Sequence, residues 1–227
     1  ICRSHHILIV EDNPYGLLGF EGQTYTALKT LAPDDVVYLG SFSKIFAPGY
    51  RVGWAVAPPA VREKMKLASE AAILCPSSVG QYSISMYLDQ FDWKQQIREF
   101  RTMYRGRRDA MVAALEEFLP MCRWNVPDGG FYVWVGLPNG LDAKDMLPRA
   151  VTSLVAYVSG TAFYAGGRAG QDHLRLSFCY PEPVEIREGV RRLSGVVTRD
   201  LELLDLFGPT SSHRPSEGVH VPAPDQI

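Results

Sequence analysis

Lys44 stands in the segment S-F-S-K-I-F-A-P-G-Y-R-V-G-W over residues 41–54, with hydroxyls at Ser41 and Ser43 and a guanidinium at Arg51. A lysine attacks carbonyls when desolvation lets it spend time as the free amine. Serine hydroxyls and an arginine fork suit phosphate oxygens, and Gly49 and Gly53 let the backbone approach a ligand closely. The set fits an anchor for a phosphorylated aldehyde held as a Schiff base. S-x-S-K alone is a weak pattern, because most lysines are solvated surface charges. Asp12 and Tyr15 follow an apolar run in E-D-N-P-Y-G, residues 11–16. An aspartate in such a turn ordinarily bonds its own backbone; the alternative is a carboxylate presented to a ligand. Arg175 lies in H-L-R-L-S-F, residues 173–178, an alternating apolar pattern in which a guanidinium is costly without a partner. Its fork fits a carboxylate through two hydrogen bonds, and an ion pair inside the fold would satisfy it equally.

The elements that must position these groups read as α/β. Residues 7–10, I-L-I-V, predict a strand buried on both faces of a parallel sheet. Residues 11–16 then leave at its carboxyl end, the edge where open α/β sheets bind ligands. Residues 36–39 predict a second buried strand that delivers Ser41 and Lys44 to the same edge, and residues 52–57 a third. A helix is expected from Pro59 to about residue 74, with Val61, Met65 and Ala68 or Ala72 inward. Ser77 and Ser78 are placed to cap the next helix. A long charged helix spans residues 93–118, and its Arg105, Arg107 and Arg108 read as a solvated face rather than an anion site. Residues 122–124 and 131–135 predict a strand pair around the turn P-D-G-G. Residues 142–151 predict a helix with Asp142 at its start, 155–158 a strand, and about 182–206 the final helix. Residues 1–5 read as the end of a helix, and the chain as a piece of a longer one.

Composition narrows the partners. A net charge of −2 with no basic run argues against nucleic acid, and 46% hydrophobic content is enough for a core. Cys2, Cys75, Cys122 and Cys179 show no paired spacing, which fits neither a zinc knuckle nor a disulfide framework and reads as the reduced thiols of a cytoplasmic protein. No run approaches the length of a membrane-spanning helix. After residue 207 prolines recur without apolar period, so residues 208–227 are expected to be disordered; His213 and His220 lie there, and no metal site is expected.

The full pattern S-x-S-K-x-x-x-P-G-x-R-x-G resembles the cofactor-lysine segment of class I/II, fold type I, pyridoxal-phosphate-dependent aminotransferases. D-x-x-Y at 12–15, P-x-G-G-x-[FY]-x-W at 127–134 and R-L-S-F at 175–178 resemble the same family. The resemblance covers about residues 1–207 and is to a C-terminal portion. It implies part of a large-domain sheet in residues 1–92, with a bridging helix and small α/β domain in residues 93–207. It implies pyridoxal 5'-phosphate as cofactor, with Lys44 carrying it and moving the proton. Asp12 then serves the pyridine nitrogen, Tyr15 the 3′ oxygen, Ser41, Ser43 and Arg51 the phosphate, and Arg175 the substrate α-carboxylate. The implied activity is amino-group transfer between an α-amino acid and a 2-oxo acid by a homodimer. G-L-L-G-F-E-G at 16–22 and V-A-Y-V-S-G-T-A-F-Y at 155–164 look most like the 2-aminoadipate, aromatic and kynurenine-type branch. Two other readings are the aminotransferase-like sensor domain of a MocR-type transcription regulator and an inactive fragment. The second follows because the family's phosphate-cradling loop, ring-stacking residue and an asparagine to the 3′ oxygen precede residue 1. A truncated sheet is also expected to leave an exposed strand edge and apolar surface.

Overall fold

The computed structural model describes residues 1–22 and 25–208. All but the first residue of the tail expected to be disordered, with His213 and His220, lies outside the described residues. Two compact units form: Ile1–Arg108 with Pro127–Phe131, and Asp109–Val126 with the residues from Tyr132 onward.

The first unit is built on a three-stranded sheet in the order β1 (Ile9–Asp12), β2 (Val36–Ser41), β3 (Gly53–Val56). β1 runs parallel to β2, from Ile9 opposite Val36 to Asp12 opposite Leu39. β3 is antiparallel to β2, with Ser41 opposite Gly53. Val36 and Val37 are buried, as a central strand requires. The neighbouring strands depart from expectation. β1 starts at Ile9, where pairing with β2 begins, so Glu11 and Asp12 close the strand instead of opening a turn. β1 has a ladder partner on one side only, and its apolar run is also not covered on its faces: Ile7, Leu8 and Val10 are exposed, and so are all residues of β3. This matches the expectation of an exposed edge and corrects that of strands buried on both faces. Residues 1–5 contribute a single 3-10 turn, Arg3–His5.

Helices follow in series. Between β1 and β2 the described residues form one short helix, α1 (Leu28–Leu31). α2 (Pro59–Ile73) starts at its proline, but none of its residues is buried. Val61, Met65, Ala68 and Ala72 therefore form no inner face, because no described element covers the helix. α3 (Ser78–Gln90) is capped by Ser77, whose Oγ accepts the Gly80 N–H at 3.2 Å. α4 spans Trp93–Phe118. Its arginines form a solvated face only in part: Arg105 is exposed as expected, but Arg107 and Arg108 are buried. Arg108 donates to the Pro127 carbonyl at 2.8 Å and lies 5.2 Å from the Phe20 ring, so its charge is spent on fixing a loop. The P-D-G-G loop is pinned as well. The Phe20 N–H donates to Asp128 O and the Gly130 N–H to Leu18 O, and a side chain on Gly129 would stand 2.6 Å from Leu18 O.

The second unit is an antiparallel sheet in the order β4 (Arg123–Trp124), β5 (Tyr132–Gly136), β7 (His173–Ser177), β6 (Val158–Ser159). Strand alternation sorts its side chains. Val133, Val135, Leu174 and Leu176 are buried, as are Met146 and Ala150 of α5 (Ala143–Thr152) and Val190, Leu193 and Val197 of α6 (Pro183–Phe207). Each such valine, leucine or methionine side chain contributes about 1.5–3 kcal/mol on burial. Tyr132, Trp134, His173 and Arg175 occupy the opposite face and are half-buried. Asp142 caps α5 through the Lys144 and Asp145 N–H groups. The strand expected at 155–158 shrinks to Val158–Ser159, because Leu154 takes a left-handed φ of 61° and Val155 still donates to the Ala150 carbonyl. Glu182 and Glu185 form a capping box before α6.

Candidate active site

Lys44 is carried on the connection between β2 and β3. The Phe42 N–H donates to Val52 O at 3.0 Å and closes the neck of that loop. Inside it, Ser41 Oγ accepts the Ser43 N–H at 3.1 Å, and the Phe46 N–H returns to Phe42 O at 2.9 Å, which makes a tight turn around Lys44. Aromatic contacts hold the loop: Phe42 on Trp54 at 4.7 Å, and Phe46 on Tyr50 at 5.1 Å and on Tyr87 of α3 at 4.7 Å. Glycine is required under this packing, since a Cβ on Gly40 would stand 2.3 Å from the Trp54 ring. Arg51 takes φ 54° and donates both its N–H and its Nη1 to Pro48 O while staying exposed.

Asp12 ends β1 beside Leu39, and the Asn13 N–H donates to Leu39 O at 3.0 Å. Asp12 and Ser41 thus lie at the carboxyl end of the same parallel strand pair, three residues before Lys44. A cleft of about 290 Å³ opens there, lined by Asn13, Pro14, Tyr38, Ser41, Ile45 and Trp54 among others. Burial, and then the Glu11 carboxylate, raise the Tyr38 phenol above its ordinary range. Among the described residues, neither the Asp12 carboxylate nor the Lys44 ammonium has a hydrogen bond or ion pair. The Asx-turn alternative for Asp12 is therefore not realised. Tyr15 sets its ring edge against Phe131 at 5.2 Å.

Arg175 sits in the second unit on the central strand β7, opposite Trp134 on one side and Val158 on the other. Its Nε is buried and has no hydrogen-bond partner among the described residues. The guanidinium carbon lies 3.9 Å from the Tyr132 ring centroid and 4.7 Å from that of Phe163. No carboxylate among the described residues pairs with it, so the internal ion pair is not what satisfies this side chain. A half-buried cation without a counter-charge is costly, and ring faces offset only part of that cost. The remaining donors fit an incoming anion. Motif reading gave Tyr132 and Phe163 no role of their own, although both lie in the family-like segments 127–134 and 155–164; a further signal was available for Tyr132, which shares with Arg175 and Trp134 one face of an alternating sheet.

In the first unit the groups suit a phosphorylated pyridine aldehyde: among the described residues Lys44 has an unpaired Nζ and Asp12 an unpaired carboxylate, and the Ser41 hydroxyl, already accepting, keeps its own hydrogen to donate. In the second unit, taken by itself, the Arg175 fork suits a carboxylate. Among the described residues no group of three or more His, Cys, Asp or Glu could hold a metal, and no helix is long and apolar enough to cross a membrane. All four cysteines are free thiols.

Comparison with known proteins agrees with this chemistry. The family of class I and II aminotransferases matches residues 1–193, and the chain belongs to it. It is 39% identical over 204 residues to aromatic-amino-acid aminotransferase 1 of Thermococcus litoralis, covering 89% of this chain and 49% of that protein. Among solved structures it is similar to the Pyrococcus horikoshii kynurenine aminotransferase, with a TM-score of 0.84, 42% identity, and 88% of this chain and 50% of that one covered. A similar match is LysN, the α-aminoadipate aminotransferase of Thermus thermophilus, complexed with N-(5'-phosphopyridoxyl)-L-leucine, with a TM-score of 0.85, 35% identity, and 89% and 53% covered. These neighbours share the fold type I architecture expected from the sequence. An uncharacterized HTH-type transcriptional regulator of Bacillus subtilis matches at 28% identity over 88% of this chain and 41% of that protein. The chain spans about half the length of the relatives it matches.

Proposed function

We propose that this chain is the C-terminal half of a pyridoxal-phosphate-dependent aminotransferase that moves an amino group between an α-amino acid and a 2-oxo acid. The observation that carries this reading is Arg175, a half-buried guanidinium whose buried Nε has no partner and which has no counter-ion among the described residues, in a chain whose family handles amino-acid carboxylates. Lys44 would hold pyridoxal 5'-phosphate, Ser41, Ser43 and Arg51 its phosphate, Asp12 its ring nitrogen and Tyr15 its 3′ oxygen. Bound there, the cofactor supplies an electron-accepting ring. The protein's own work is then to orient and to move protons. Arg175 fixes the α-carboxylate by two charge-assisted hydrogen bonds, and the Asp12 carboxylate keeps the ring nitrogen protonated. Nζ of Lys44 takes the proton from the substrate Cα and returns it at the end of transfer. The full-length protein is proposed to act as a cytoplasmic homodimer on substrates of the aromatic, kynurenine or 2-aminoadipate class.

A second reading, a cofactor-binding sensor domain of a transcription regulator, is favoured by the match to HTH-type regulators. One experiment separates them: an absorbance spectrum of the 227-residue chain with pyridoxal phosphate, repeated with Lys44→Ala. A band that needs Lys44 and bleaches on adding an amino acid supports the transaminase. A band that ignores amino acids supports the sensor. No Lys44-dependent band overturns cofactor anchoring by this chain alone, the outcome expected of an inactive fragment.

A further inference from the structure

We infer that Tyr132 and Phe163 are positioning residues for Arg175: their ring faces grip the guanidinium, so its charge reaches an incoming carboxylate oriented but not neutralised. The inference rests on the reading of Arg175 as the carboxylate site.

A half-buried arginine can be oriented in two ways. An aspartate or glutamate would fix the fork, but it would also occupy the donors and cancel the charge that the substrate needs. Aromatic faces attract the cation without accepting its N–H groups in the manner of a carboxylate. Here the second solution is built. Both rings lie well within the distance at which cation–π attraction operates, 3.9 Å for Tyr132 and 4.7 Å for Phe163. Tyr132 is held by the β5–β7 ladder, opposite Ser177. Phe163 is held from behind: its ring meets Trp134 edge-on at 5.2 Å and 84°, and Trp134 stacks on His173 at 5.5 Å and 18°. His173 Nδ1 is in turn 2.7 Å from Asp172 Oδ1. The segment Gly160–Phe163 is pressed onto β7, because a Cβ on Gly160 would stand 2.3 Å from Gly170 O and 2.9 Å from His173 O. The row therefore fixes Phe163 through several contacts that do not involve the substrate.

The test is nitrogen-15 NMR of the full chain, reading the Arg175 Nε–H signal, assigned by its loss in Arg175→Gln, and titrating 3-phenylpropionate as the carboxylate probe. The clamp predicts an Nε–H displaced upfield by ring currents and slow to exchange. Phe163→Leu and Tyr132→Leu should each move the signal back, speed its exchange and weaken probe binding about three- to tenfold. Phe163→Tyr and Tyr132→Phe, which keep a ring, should hold both within twofold. Leucine variants that change nothing, or ring-keeping variants that lose as much as leucine, would overturn the clamp. A wild type that binds no probe defeats the carboxylate reading of Arg175, while the Nε–H position in the same samples still decides the clamp. Phe163 is 46% exposed, so its leucine variant is expected to fold, as circular dichroism would verify. Should it not, a wild-type Nε–H without upfield displacement or protection is enough to reject the proposal.

Discussion

The same substitution, glycine to alanine, should have opposite signs at two places in the second unit. At Gly160 the new methyl would stand 2.3 Å from Gly170 O and 2.9 Å from both Cβ and O of His173. Two of these three atoms are backbone, so no side-chain rotation relieves the clash. Gly170 cannot retreat easily either: it holds φ 76°, and a Cβ placed on it would meet the Tyr164 ring at 2.5 Å. The overlap with Gly170 O is close to 1 Å, which places the cost in the overpacking range of about 1–3 kcal/mol. At Gly195, on the exposed side of α6, an added Cβ meets nothing within 4 Å. There alanine removes backbone freedom from the unfolded chain and should stabilise by about 0.5–1 kcal/mol. With a urea m-value of about 2 kcal/mol/M, the two midpoints should fall on opposite sides of wild type and lie about 1–2 M apart, most of it from the loss at Gly160. Tryptophan fluorescence reads the transition, since Trp134 packs against Phe163 in the affected region. Gly160→Ala should also loosen Phe163 and release the Arg175 Nε–H to exchange. A Gly160→Ala midpoint at or above wild type would refute the reasoning.

Two further predictions concern ionisation. Burial chiefly holds the Tyr157 phenol above its ordinary value of 10.0, with the Arg149 guanidinium opposing and the Asp200 and Asp142 carboxylates adding to the rise. The folded state then keeps a proton that the unfolded chain has begun to lose, so the contribution is full below pH 10 and falls as pH rises beyond it. Tyr157→Phe should flatten that alkaline loss in a pH series of urea melts, and should cost about 1 kcal/mol at neutral pH through the hydrogen bond to Ala143 O. Burial likewise pushes the Cys122 thiol up to about 11. At pH 8 its thiolate fraction is about a hundredfold below that of an ordinary thiol, so exposed Cys75 should be labelled first and Cys122 only on unfolding. Peptide mapping after timed alkylation checks the order.

What the sequence revealed followed the range of the forces involved. Ser77 and Asp142 were legible as caps because a cap depends on the next three residues, and the bounds of α4 followed from a local helical pattern. The Lys44 segment was legible because its chemistry is concentrated in fourteen residues. Burial was not local and was misread wherever it depended on a distant neighbour: I-L-I-V reads as a strand covered on both faces, but Ile7, Leu8 and Val10 are exposed, and Met65 reads as inward although no described element lies over α2. Arg108 failed for the same reason in reverse. A charged run reads as solvated until the fold brings the Pro127 carbonyl and the Phe20 ring to the guanidinium. Arg175 joins both cases. Its strand pattern reveals a cation in a half-buried position, but only the pairing register brings Trp134 and Val158 opposite it, and only the turn at Gly160 brings Phe163 onto its guanidinium. The absence of a counter-ion among the described residues turns that position from an oddity of a strand into a candidate carboxylate site, and no local pattern encodes it.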